Sequence, residues 1–396
     1  MFADRTKWNL ESNRLAEALA AHRLSGKRLY DLTASNPTEC GFEYDKQSIL
    51  RALSNPEALH YEPDPKGLEI ARKAVTAYYA ARAQSQMNAS RSQPSAISCE
   101  DIFLTTSTSE AYSFAFRMLC NPGDEIMVPE PSYPLFGFLA DLHDVKITRY
   151  ALVYDYGWQI DFNALEGALT SRTRGVIVVH PNNPTGHFCR TEEIARLNNI
   201  CGPREMALIA DEVFLDFGLC GEIAPSFTEN TGALTFTMSG LSKISGLPQM
   251  KAAWLVVSGP DSIKAQALAR LEVIADTFLS MNAPVQLAIP AFLEQRHSFQ
   301  KQVTDRARRN LSEMDTQLEG IGSCSRLKVE GGWYAVLRIP AVRPDEDFAI
   351  ELLETKNVYV HPGHFYDFPR EGQLVVSLIT PERDFRDGMS LILSAF

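Results

Sequence analysis

Apolar residues along this chain follow two periods. In GLEIARKAVTAYYAARA, Leu68, Ala71, Val75 and Tyr78 recur at helical spacing. Downstream the character alternates. IFLTT (102–106) reads as a strand, AYSFAFRML (111–119) as a helix, EIMVP (125–129) as a strand, PLFGFLADL (134–142) as a helix and VKITRY (145–150) as a strand. The apolar runs GVIVV (175–179), MALIA (206–210) and ALTFTM (233–238) add further strands. Alternation of this kind predicts an α/β fold, a mostly parallel sheet covered by helices. From about 262 to 318 the pattern is helical, with a break at Asn282-Ala283-Pro284. The tail then changes. LKVE (327–330), WYAVLRI (333–339), VYVHP (358–362) and QLVVSLI (373–379) read as strands, followed by a last helix from Glu382. A smaller α+β domain is expected there. The Ser-, Gln- and Asn-rich stretch 84–98 reads as a surface loop.

Composition narrows the function classes. A length of 396 residues suits about two domains, and 45% apolar content is ordinary for a globular chain. A net charge of −11 argues against nucleic acid or an anionic membrane as partner. No apolar run is long enough to span a bilayer. The opening MFADRTKWNLESNR carries charges of both signs and no apolar core, so no signal peptide is expected. The seven cysteines are odd in number and none is in CxxC spacing. They are expected to be reduced thiols in a cytoplasm, with no disulfide framework and no metal site.

Three runs carry candidate chemistry. They are HPNNPTG (180–186), ADEVF (210–214) and SGLSK (239–243), and each follows its own predicted strand. An amide, a carboxylate and an amine thus stand at neighbouring strand ends, where α/β sheets build sites. Lys243 is suited to forming an imine with an aldehyde. Asp211 is suited to pairing with a pyridinium nitrogen, which lets the ring absorb a carbanion's electrons. Asn183 is suited to donating to a ring hydroxyl, aimed by the turn Pro184-Thr185-Gly186. A fourth run, Ser107-Thr108-Ser109, follows a strand and opens a helix. Its free N–H groups favour an anion, and Ser107 with Glu110 matches a capping box.

In this order the runs resemble the fold type I pyridoxal-phosphate enzymes, the aminotransferase class I/II family, from Asp31 to the C-terminus. HYEPDPKG (60–67), TTSTSEA (105–111), PEPSYP (129–134), GGWYA (331–335) and VYVHPG (358–363) match in sequence order. The resemblance implies an aspartate-aminotransferase-like fold: a large cofactor domain at 46–284 and a small domain made of 1–45 and 285–396. It implies pyridoxal 5′-phosphate as cofactor, an amino donor and a keto acceptor as substrates, and a homodimer with shared active sites. Lys243 and Asp211 are the implied catalytic pair. Ser107, Thr108, Ser109, Ser242 and Lys251 are placed at the cofactor phosphate, Tyr133 over the ring face, Asn183 and Phe214 on its oxygen side, and Tyr61 at the partner's phosphate. Ser35, Asn36, Val375 and Arg370 fall on the substrate side.

Four positions depart from the family pattern. Lys251 stands where Arg is usual, Gly240 where Ser or Thr is usual, and Phe214 where a Tyr usually donates to the ring oxygen. Val375 stands where an Arg usually clamps the substrate α-carboxylate. Arg370 and Arg338 are the cations that could take over, and preference is expected to shift away from glutamate, aspartate and alanine. Aminotransferase is the leading reading. A lyase, decarboxylase or racemase on the same scaffold is the first alternative, and a non-catalytic cofactor-binding regulatory protein the second.

Overall fold

The computed structural model describes residues 1–87, 97–221, 224–279 and 281–396. Among them, eight strands form one mixed sheet. Five neighbours run parallel, in the order Thr235–Gly240, Ala207–Asp211, Thr173–Val179, Glu125–Glu130 and Lys146–Tyr154. The strand Ala253–Ser258 lies antiparallel between Thr235–Gly240 and Ile102–Thr105. At the other edge Trp158–Ile160 folds back on Lys146–Tyr154. Neither of these two antiparallel strands was foreseen from the pattern. Ala253–Ser258 is buried along its whole length, so it lacks the alternation that marks a half-exposed strand.

Successive residues of the central strands point to opposite faces. Val176, Val178, Leu208 and Ala210 join one core with Trp333, Val336 and Phe299. Ile177, Val179, Ile209 and Phe236 join another with Phe103, Phe116 and Leu271. The sheet is therefore covered on both sides, as parallel sheets require. Its carboxyl edge is left free, and Ile102–Thr105 runs the same way as the five parallel strands, so its end reaches that edge too.

A second, antiparallel sheet comprises Ser325–Arg326, Tyr334–Arg338, Gln373–Ser377 and His361–Pro362. The N-terminal segment packs on it. Tyr30–Asp31 pairs in parallel with Val358–Tyr359, and Leu15 and Leu32 share a core with Phe348, Leu352 and Phe385. The helical break is at the predicted place: Asn282 caps the helix Ala283–Glu294, with Pro284 in its first turn.

Two expectations need correction. LKVE is not a strand of the small sheet. Pairing stops after Leu327, whose N–H reaches Val336 O, because the next residues turn to other partners. Glu330 and Gly331 donate to Gly186 O, and Glu330 O accepts from Leu219 N, so this segment ties the two sheets together. The stretch 84–98 is not all loop, because the helix Glu69–Met87 runs into it and Cys99–Asp101 forms a single turn after it; 88–96 lie outside the described residues. No helix among the described residues is long and apolar enough to cross a membrane.

Candidate active site

The carboxyl edge of the large sheet opens onto a cavity of about 230 Å³. Ser107, Thr108, Ser109, Asn183, Asp211, Phe214, Ser242 and Lys243 line it. Tyr133 lines it as well, although its ring remains 45% exposed. Ser35 reaches it from the N-terminal segment.

Local structure explains each placement. Ser107 is the N-cap of the helix Thr108–Leu119, its hydroxyl accepting from Glu110 N at 3.2 Å. The capping box is displaced by one residue, because Glu110 returns to Thr106 N at 2.6 Å and not to Ser107. The N–H groups of Thr108 and Ser109 precede the first intrahelical bonds and face the cavity end, where the helix dipole favours an anion.

The turn after Thr173–Val179 is braced by Asn182, not Asn183. Asn182 Oδ1 accepts from Thr185 Oγ1 at 2.9 Å. Asn183 is thereby left buried, with its Oδ1 unpartnered. Gly186 closes the turn at φ +71°, where a Cβ would meet Val329 and, at 2.6 Å, Gly331 O. Only glycine serves there.

Asp211 ends its strand with both oxygens engaged. Val213 N donates to Oδ1 and Tyr112 Oη to Oδ2, each at 3.1 Å. Burial pushes its carboxyl up to about 6, against the pull of those two donors and of Lys243. Burial likewise draws the Lys243 ammonium down to about 8, although Asp211 and Cys40 oppose it. The ammonium makes no ion pair among the described residues. It lies 4.7 Å from the Trp333 ring centre and 5.4 Å from that of Phe214. Phe214 is held edge-on against Trp333 at 5.3 Å.

Comparison with known proteins decides the family. The sequence pattern of the aminotransferases of class I and II matches residues 30–384. The chain belongs to that family. It is 28% identical over 357 residues to the glutamate-pyruvate aminotransferase AlaA of Escherichia coli K12, covering 87% of this chain and 84% of that one. It is 27% identical over 376 residues to an alanine aminotransferase of Mycobacterium tuberculosis, covering 91% and 83%. The fold matches the alanine aminotransferase of Pyrococcus furiosus with a TM-score of 0.87 at 22% identity, over 100% of this chain and 99% of that one.

Other residues expected at this aminotransferase's site do not line the cavity. Lys251 sits at φ +52°, exposed beyond a short turn. Asn36 is exposed, its side chain spent on Thr38 N and Oγ1. Val375 is packed in the core between Val336 and His361. Of the two cations considered for the carboxylate, Arg370 is exposed on its loop, and Arg338 lies over the Tyr154 ring at 5.4 Å. Tyr61 is 73% exposed and away from the cavity of its own chain.

Two aromatic groups of the wall were missed. Tyr112 comes from 99 residues away from Asp211. Tyr334 meets Ser35 at the cavity wall although the two come from opposite ends of the chain. TTSTSEAYS did carry a usable signal for Tyr112, since it lies four residues after Thr108 and so on the same helix face.

Proposed function

We propose that this aminotransferase binds pyridoxal 5′-phosphate in the cavity and exchanges an amino group between an amino acid and a keto acid. The observation that carries the reading is the pair Asp211 and Lys243: a buried carboxylate drawn up to about 6 and an amine drawn down to about 8 in one cavity. Charges held this near to neutrality await ligands that complete them. The donor set fits the cofactor. Open N–H groups of Thr108 and Ser109, with Ser242, suit a phosphate. Asp211 suits the ring nitrogen, the Asn183 Nδ2 amide donor suits the ring oxygen, and Tyr133 suits the ring face. When bound, the cofactor supplies an electron sink for the carbanion left at the substrate α-carbon.

Lys243, largely uncharged a little above pH 8, is the group that would hold the cofactor's aldehyde and would carry a proton from the substrate α-carbon. Asp211 would keep the ring nitrogen protonated. No guanidinium lines the cavity among the described residues, so the substrate carboxylate is met by neutral groups, Ser35 and Tyr334. The relatives named above are alanine and glutamate-pyruvate aminotransferases; weaker binding of the carboxylate moves this protein away from efficient use of those donors.

Tyr61 and Leu59, 73% and 94% exposed, form an apolar surface that a second copy covers in a homodimer. All seven cysteines are unpaired, which suits a reducing cytoplasm. We divide the chain into 46–284 for the cofactor, and 1–45 with 285–396 for the small domain.

The test is a half-reaction. Protein loaded with the cofactor is mixed with single amino acids without acceptor. Transamination yields aminated cofactor and one keto acid per site. Keto acid release without aminated cofactor would identify a lyase instead.

A further inference from the structure

We propose that Tyr112 is a positioning residue for Asp211: its buried hydroxyl keeps the carboxylate ionised and fixed, so that a protonated pyridine nitrogen meets an anion. The inference rests on the site reading above and deepens it.

The geometry is specific. Tyr112 is 3% exposed, and its Oη donates to Asp211 Oδ2 at 3.1 Å. The ring cannot swing away, because Phe136 packs edge-on at 5.4 Å and Phe116 lies at 6.1 Å. Thr108 and Tyr112 are four residues apart on one helix, hence on one face, one turn apart. The same helix therefore offers its N-terminus to the phosphate end of the cavity and a phenol to the nitrogen end.

The physical need is equally specific. A carboxylate removed from water takes up a proton unless donors hold its charge. Asp211 has two protein donors, and the Val213 N–H is a backbone group that every residue type but proline offers at that position. Tyr112 is the contribution of this sequence. Burial and the neighbouring Asp211 charge push the phenol well above its ordinary range, so it remains a donor at every working pH. Oδ2 retains a second lone pair for the pyridinium N–H.

The experiment measures dissociation of pyridoxal phosphate from wild type, Tyr112→Phe and Asp211→Asn by quenching of tryptophan fluorescence, between about pH 5 and 9. Phenylalanine keeps the ring contacts and removes only the donor. In Tyr112→Phe the pH below which binding weakens should rise by about one to two units. Binding is then about tenfold weaker than wild type near pH 6.5 and equal to it near pH 9. Replacement of Tyr112 by 3-fluorotyrosine, a stronger donor of the same shape, should move the profile the opposite way. A Tyr112→Phe loss that is the same at every pH would mean packing alone and overturns the proposal. So does an unshifted profile in a protein where Asp211→Asn binds weakly throughout; in that case the role of Asp211 stands. If Asp211→Asn binds as wild type at every pH, the reading of the site itself falls.

Discussion

Two buried polar clusters share one loop, four residues apart, and they are built on opposite principles. At Asn183 the loop faces the cavity, where Asp211 and Lys243 are both drawn toward neutrality and Asn183 Oδ1 is unpartnered. At His187 it faces Glu193 at 3.1 Å and Glu330 at 3.7 Å, with Arg190 and Lys328 also on Glu330. There the pairing wins over burial. Glu330 is pulled down to about 2, Glu193 is lowered, and His187 is raised by the two carboxylates despite its burial. In the second cluster the protein places opposite charges within ion-pair distance of one another, although neither ring nitrogen of His187 has hydrogen-bond geometry, and gains a tie between the two sheets. In the first it leaves them incomplete. Charge without an ion-pair partner, more than polarity, marks the functional place.

The largest expected effect is at Lys243. Lys243→Ala should abolish the absorbance of lysine-bound cofactor and lower turnover by at least about a thousandfold, with the circular dichroism of the fold retained. Wild-type rates without added amine would sink the assignment.

Asp211→Asn separates the clusters in two assays at once. Turnover should fall by about a hundredfold or more. Yet the cofactor-free protein should become more stable. The folded carboxyl, raised to about 6 from an ordinary value near 4, costs stability progressively as pH rises from about 4 to 6, and the asparagine removes that cost. Thermal denaturation of the cofactor-free variant at neutral pH should therefore give a higher Tm.

His187→Ala should do the reverse, destabilising by about 3 kcal/mol, because buried Glu193 loses its ion-pair partner while Glu330 keeps Arg190 and Lys328. Denaturant titration measures this. The signs with pH follow from the same groups. Stability from Glu330 is full above its unfolded value near 4.5 and is lost as pH falls toward about 2. Stability from His187 is full below about 6.5 and is lost as pH rises through its raised value. If both single variants shift stability in the same direction, the contrast between the clusters collapses.

Phe214→Tyr is a subtler change. A phenol donating to the ring oxygen should lower the pH of the cofactor's absorbance transition by about one to two units, seen by spectrophotometric titration. An unchanged or higher midpoint counts against the role given to Phe214. Smallest and most specific, glutamate, aspartate and alanine should each give specificity constants below about 10⁴ M⁻¹s⁻¹ in steady-state assays.

The parts legible in the sequence were those in which chemistry and local pattern coincide. Asn183, Asp211 and Lys243 each follow an apolar run, so strand, turn and functional group are read from one short window. The covering of the sheet follows from the same runs. What escaped depends on distant contacts. Tyr112 meets Asp211 only once two strand ends are neighbours. LKVE has a strand's composition, but Gly186 and Leu219 claim its backbone. Lys251, Asn36 and Arg370 matched by position in the chain, and the cavity does not include them because exposed turns carry them outward.

Gly240 shows a different consequence. Its backbone is extended at φ 178°, which any residue could adopt, but a Cβ there would lie 2.8 Å from Ala253 Cβ and 2.9 Å from Ala252 O. The two residues face each other across paired strands. A serine at 240 thus requires the chain at 252–253 to move away, because one of the two atoms in its path is a main-chain oxygen that no substitution removes.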